Sequence, residues 1–196
     1  GARSTTTAAS SPFASARETA ARVAVGALAR LLLAEFGIRV GSYVTEIGGE
    51  VAEIPDLPQK ELWALAEASD VRCPDEDAAA RIRAAIDAAR ALGDSLGGCF
   101  VVAAAGDGDA GGLPVGLGSH VHWERRLDAR LAAALMSIQA VKGVEIGPAF
   151  ENARRPGTQV HDAIVGIREL GNWGIGKLGD RDTVHRTRNT QYAIRT

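Results

Sequence analysis

The spacing of apolar residues changes period repeatedly along the chain. That alternation restricts the fold more than any single residue does. Val23, Ala27, Leu28, Leu31 and Leu32 recur at the three- and four-residue steps of one helix face. Gly37 is placed to end that helix. From Ile38 to Ile47 the pattern becomes strand-like, through Val40, Tyr43 or Val44, and Ile47, and Gly48 and Gly49 close it. Pro55 and Pro58 mark a loop, and 61–68 reads as a short helix. Pro74 with Asp75, Glu76 and Asp77 opens a further helix, because proline suits the first turn and carboxylates favour the positive end of the helix dipole. Ile82, Ala85, Ile86 and Ala89 supply its buried face, and Gly93 stops it. Residues 99–105 read as a buried strand, 106–112 as a turn, and 113–117 as a returning strand. Leu127, Leu131, Leu135 and Ile138, with Met136 beside them, read as the core stripe of a helix, and 141–146 as a strand. Helices and strands mixed in this order predict an α/β layered fold.

Composition narrows the functional classes. The 196 residues fit one domain able to bury a core, although much of the 46% apolar share is alanine, which buries little area. The formal charge of −2 provides no global basic field for nucleic acid. No apolar run reaches membrane-spanning length, and the Ala/Ser/Thr-rich start has no secretory apolar core. A cytoplasmic location is expected, with no membrane and no nucleic-acid partner. Cys73 and Cys99 stand far apart in no ligand spacing and read as reduced, buried or half-buried thiols. Residues 1–12 read as a disordered lead-in, 13–163 as the core segment, and 164–196 as an atypical tail whose pattern decays.

Four blocks stand out in order. They are Ser15-Ala16-Arg17-Glu18-Thr19-Ala20-Ala21-Arg22-Val23; residues 44–48; Val71-Arg72-Cys73-Pro74 with Gly93-Asp94-Ser95-Leu96-Gly97-Gly98; and 112–147, which contains Gly-Leu-Pro-Val-Gly-Leu-Gly-Ser and Leu-Met-Ser-Ile-Gln-Ala-Val-Lys-Gly-Val-Glu-Ile-Gly. Together they resemble the central part of the chorismate synthase family, from about Ala14 to about Asp162. The resemblance implies a β-α-β layered fold, incomplete in this chain, and a lyase of the shikimate pathway. That lyase catalyses an anti-1,4-elimination of phosphate from 5-enolpyruvylshikimate 3-phosphate, giving chorismate, with reduced FMN as cofactor and a homo-oligomer as the assembly.

Matched residue by residue, the resemblance implies flavin contacts at Ala14, Ser15, Gln139 and Ala140, and a substrate-binding cation at Arg17. Ser15 and Glu18 also have the spacing of a helix-capping box. Phe13 stands where family members often carry arginine. The family's Gly-Glu-Ser-His-Gly block, its later histidine and its Arg-Ser-Asp block have no counterpart, so no catalytic residue is assigned. The alternative reading is therefore a non-catalytic fragment with a structural or assembly role, without lyase activity on its own.

Other patterns point elsewhere. Gly171 to Lys177 has the Gly-x4-Gly-Lys part of a phosphate loop, but Leu178 follows where Ser or Thr is needed. His120 and His122 share one face of an extended segment and could be half of a metal site, but no third ligand is nearby, so no metal is assigned. His161-Asp162 could act as base and carboxylate, and reads more simply as a surface turn. The 106–112 run reads as a hairpin rather than a phosphate cradle, because Asp107 and Asp109 repel anions. Arg125, Arg126 and Arg130 cluster near a helix start as a solvated face or an anion pocket.

Overall fold

The computed structural model describes residues 12–106, 113–114, 116–160, 164–166, 183–185 and 191–195, with side chains between residues 16 and 160. The chain divides into two compact units, residues 1–37 and 38–196.

Among its described residues the first unit holds one helix, α1 (Pro12–Glu35). It starts four residues earlier than a capping box at Ser15 requires, which would place its first helical residue at Ala16. Ser15 lies inside the helix and is not its N-cap, and Glu18 instead pairs with Arg22 one turn on, at 2.8 Å. The turn closes through Phe36 and Gly37, whose N–H groups donate to Leu33 and Ala34. The apolar stripe is exposed rather than buried: Val23, Leu28, Leu31 and Leu32 are each more than 60% accessible. Val25 is equally exposed, so the apolar positions of the helix wrap about 200° of the circumference instead of marking one narrow face; Phe36, just past the helix end, is exposed as well.

The second unit is built on a sheet with strand order β2 (Glu50–Val51), β1 (Ile38–Ile47), β3 (Gly98–Gly106), β7 (Gln191–Arg195) and β4 (Gly143–Ile146), all neighbours antiparallel. β1 (Ile38–Ile47) turns through Gly48 and Gly49 into the two-residue β2 (Glu50–Val51) and pairs on its other side with β3 (Gly98–Gly106). Two helices lie between them in sequence, α2 (Gln59–Ala68) and α3 (Glu76–Leu92). α3 has the expected signals at both ends. The Asp75 carboxylate accepts the N–H groups of Asp77 and Ala78, and Gly93 closes it in the left-handed conformation.

Strand pairing shows how the two helices share the sheet. Tyr43 faces Val101 across the ladder, and both pack with Leu62 and Ala66 of α2. A bulge between Val44 and Glu46 resets the register, so that Val44 opposes Phe100 and Ile47 opposes Gly98, two residues apart on β3. Val44 and Ile47 therefore share the other face, where they pack with Cys73 and with Ala78, Ala79 and Ile82 of α3. α2 and α3 thus cover opposite faces of β1. Their connection crosses its outer edge, where the Val44 N–H donates to the Arg72 carbonyl at 2.9 Å. Gly41 lets α2 approach closely: a Cβ there would lie 2.4 Å from the Trp63 ring.

Beyond β3 come a single 3-10 turn (Trp123–Arg125), α4 (Leu127–Met136), β4 (Gly143–Ile146), the one-turn helices α5 (Ala149–Asn152) and α6 (Gly157–Val160), a ribbon of β5 (Ile164–Gly166) with β6 (Thr183–His185), and β7 (Gln191–Arg195). The returning strand expected at 113–117 does not form in the described residues. β3 instead pairs with β7, drawn from the far end of the chain. The stripe on α4 is not core either. Leu127, Leu131 and Leu135 are half-buried, Met136 is exposed, and Ile138 lies beyond the helix end. Cys73 and Cys99 are free thiols, buried and half-buried respectively, as expected. Among the described residues no helix is long and apolar enough to cross a membrane.

Candidate functional site

The residues singled out by sequence fall on two elements. Arg17 is exposed on α1, two residues after Ser15. The backbones of Ala14 and Ser15 belong to the same helix, and their side chains lie outside the described set. Gln139 and Ala140 sit together on the turn joining α4 to β4, and both are exposed. Ala14, Ser15 and Arg17 belong to the first unit, Gln139 and Ala140 to the second.

The 137–140 turn is tightly specified. The Ser137 N–H donates to the carbonyls of Ala133 and Ala134, and its hydroxyl donates to Ala134 at 2.6 Å, closing α4. The Ile138 N–H donates to Leu135, and the Val141 N–H donates back to Ile138. Val141 is buried and anchors the far side of the turn. To complete it, Ala140 takes a φ of 69°. This left-handed conformation costs a residue with a Cβ about 1–2 kcal/mol. Strain of this kind is concentrated at functional sites.

A concavity of about 570 Å³ lies at the start of α4, lined by Gly118, Ser119, His120, Arg126, Leu127 and Asp128 among others. Arg126 grips Asp128 with two hydrogen bonds, at 3.2 and 2.5 Å. That fork is the main reason the Asp128 carboxyl lies below the ordinary carboxylate value and the Arg126 guanidinium above its own. With its charge satisfied locally, Arg126 is a wall of this concavity rather than a waiting anion ligand. Gly118, with φ 75°, is required by packing, because a Cβ there would meet the Leu127 Cβ at 2.9 Å. Sequence reading grouped Arg126 with Arg125 and Arg130 and missed this fork. The Arg-x-Asp spacing at the helix start was the available signal.

His120 and His122 are both exposed, and no group of three metal-ligating side chains occurs among the described residues. His161-Asp162, Gly171–Lys177 and the 107–112 run lie outside the described residues.

A family model described as chorismate synthase matches residues 6–187. The chain belongs to the chorismate synthase family. The chorismate synthase of Symbiobacterium thermophilum is 60% identical over 152 residues, covering 77% of this chain and 37% of the relative. That of Pelobacter propionicus is 56% identical over 180 residues, covering 92% of this chain and 43% of the relative. A crystal structure of a chorismate synthase superposes with a TM-score of 0.75 at 40% identity, over 93% of this chain and 55% of that one. The chain therefore spans about two fifths of the length of these curated relatives. The family match reaches past the quoted motif blocks at both ends, and the α/β fold expected from them is the fold observed.

Proposed function

We propose that the chain acts as a chorismate synthase, eliminating phosphate from 5-enolpyruvylshikimate 3-phosphate to give chorismate. The observation that carries this reading is the family match over residues 6–187, which includes both elements bearing the site residues. In the reaction a carbon–oxygen bond breaks, phosphate leaves with the electron pair, a ring proton departs, and a new double bond forms with no net redox change. Reduced FMN supplies transient electron density to the allylic system.

The residues present fit such a flavin. The 137–140 turn is open to solvent, Gln139 offers an amide that can both donate and accept hydrogen bonds, and Ala140 presents only a methyl group to an approaching ring edge. Arg17 is exposed and cationic. Its planar fork suits the phosphate or a carboxylate of the substrate and would hold that anion while the leaving group departs.

The test is anaerobic titration of the chain with reduced FMN, followed by an assay for chorismate and released phosphate. The expected result is flavin-dependent chorismate formation. Gln139→Ala should weaken flavin binding about tenfold, and Arg17→Ala should raise KM for the substrate while leaving the flavin Kd unchanged. A folded chain that shows neither flavin binding nor chorismate formation would overturn the proposal.

A further inference from the structure

The turn that carries Gln139 and Ala140 is held in a conformation that its own residues disfavour. The Val141 N–H donates to the Ile138 carbonyl at 3.3 Å, and of the two residues between them only Ala140 has a positive φ, 69°. That is the arrangement of a type II turn, whose third residue is ordinarily glycine. An alanine stays left-handed only where its surroundings over-determine the backbone.

Two anchors do so. On the exit side Val141 is buried and leads into β4. On the entry side stands Ser137, the residue that caps α4. Its N–H donates to the Ala133 and Ala134 carbonyls at 3.1 and 3.2 Å, and its hydroxyl donates to the same Ala134 carbonyl at 2.6 Å. The next N–H, that of Ile138, donates to Leu135 at 3.1 Å. Backbone and side chain together therefore hold Ser137 in the right-handed conformation, φ −76° and ψ −10°, which fixes the direction in which the chain enters the turn.

We propose that Ser137 is a positioning residue for the flavin seat: its hydroxyl locks the end of α4, keeps Ala140 left-handed, and so aims the Gln139 amide and the Ala140 methyl. Ser137 acts through these two residues rather than on the flavin. The proposal rests on Gln139 and Ala140 being flavin contacts, and it names the group that sets their geometry. Without the hydroxyl, Ala140 relaxes toward the right-handed region that a residue with a Cβ prefers, and the two contacts are redirected.

The experiment compares Ser137→Ala and Ser137→Thr with wild type in the full chain. Carbon NMR shifts of Ala140 are read without flavin, the Kd for reduced FMN is read by anaerobic titration, and circular dichroism checks every variant. Ser137 is exposed and both replacements keep its N–H bonds, so the fold persists. In Ser137→Ala the Ala140 Cα and Cβ shifts should move from left-handed toward right-handed values, and the Kd should rise about three- to tenfold, the size of one hydrogen bond. Ser137→Thr keeps the hydroxyl and should match wild type in both. On an Ala140→Gly background the left-handed conformation carries no steric penalty, so there Ser137→Ala should change the Kd little. Unmoved Ala140 shifts would overturn the proposal. So would an unchanged Kd in Ser137→Ala while Gln139→Ala weakens binding, or an equal loss in Ser137→Thr. Absence of flavin binding by the wild-type chain is a separate failure, that of the flavin contacts themselves, and the proposal falls with it.

Discussion

At the scale of single residues, three positions hold conformations or contacts that their neighbours impose. Gly41 has no room for a methyl group against the Trp63 ring, and both partners sit in ordered elements. Gly41→Ala should therefore cost about 1–3 kcal/mol of unfolding free energy, read by chemical denaturation. Ala140 holds a left-handed φ without being glycine. Ala140→Gly should stabilise the fold by about 1 kcal/mol, while Ala140→Val should destabilise it and disturb flavin binding first, because the strained turn carries Gln139. Asp75 accepts the N–H of Glu53 as well as those of Ala78 and Asp77, and these bonds, Glu53's foremost, hold its carboxyl below the ordinary carboxylate value. A carboxyl lowered on folding contributes stability that is full above about pH 4, the unfolded value, and fades as pH falls through its folded value. Asp75→Ala should cost about 0.5–2 kcal/mol at neutral pH, and the gap from wild type should narrow in acid. Unfolding curves at pH 7 and pH 3 would check both parts.

At the scale of elements, the Arg72 connection is the most specific local structure. Arg72 has a φ of 56°, gives its carbonyl to Val44, donates from its guanidinium to the Ser42 carbonyl at 3.0 Å, and pairs with Glu67 at 2.6 Å. Arg72→Ala should destabilise the chain by about 1–3 kcal/mol, through loss of a side-chain bond to a partly buried carbonyl rather than loss of a surface ion pair. Thermal melts in low and high salt would separate the two, since only the ion pair is screened. β1, α3 and the end of α1 were legible from sequence because their signals are local: alternation, a proline with acids, and a terminal glycine. The partner of β3 was not legible, because β7 lies some ninety residues away and its Gln-Tyr-Ala-Ile-Arg run carries no strong period. Nor was the true start of α1, where Ser15 and Glu18 match a spacing the helix overrides. The Gln139-Ala140 turn was singled out through family likeness alone, as no local pattern marks it. The Arg126–Asp128 fork was hidden by reading the three nearby arginines as one charge cluster.

At the scale of the whole molecule, sheet integrity rests on a strand from the end of the chain. β7 pairs with β3 on one side and β4 on the other, so Ala193 opposes both Val101 and Glu145. A proline there would remove a ladder donor from an inner strand. Ala193→Pro should cost on the order of 3 kcal/mol and expose strand edges, seen as lower solubility and an earlier denaturation midpoint. The Arg72 crossover has a consequence at this scale too. By occupying the Val44 amide beyond the short β2, it leaves no continuous backbone rail beside β1 for another strand to follow. Among the described residues the opposite edge of the sheet is β4, and that is the side on which a further strand would find a longer row of backbone groups to pair with.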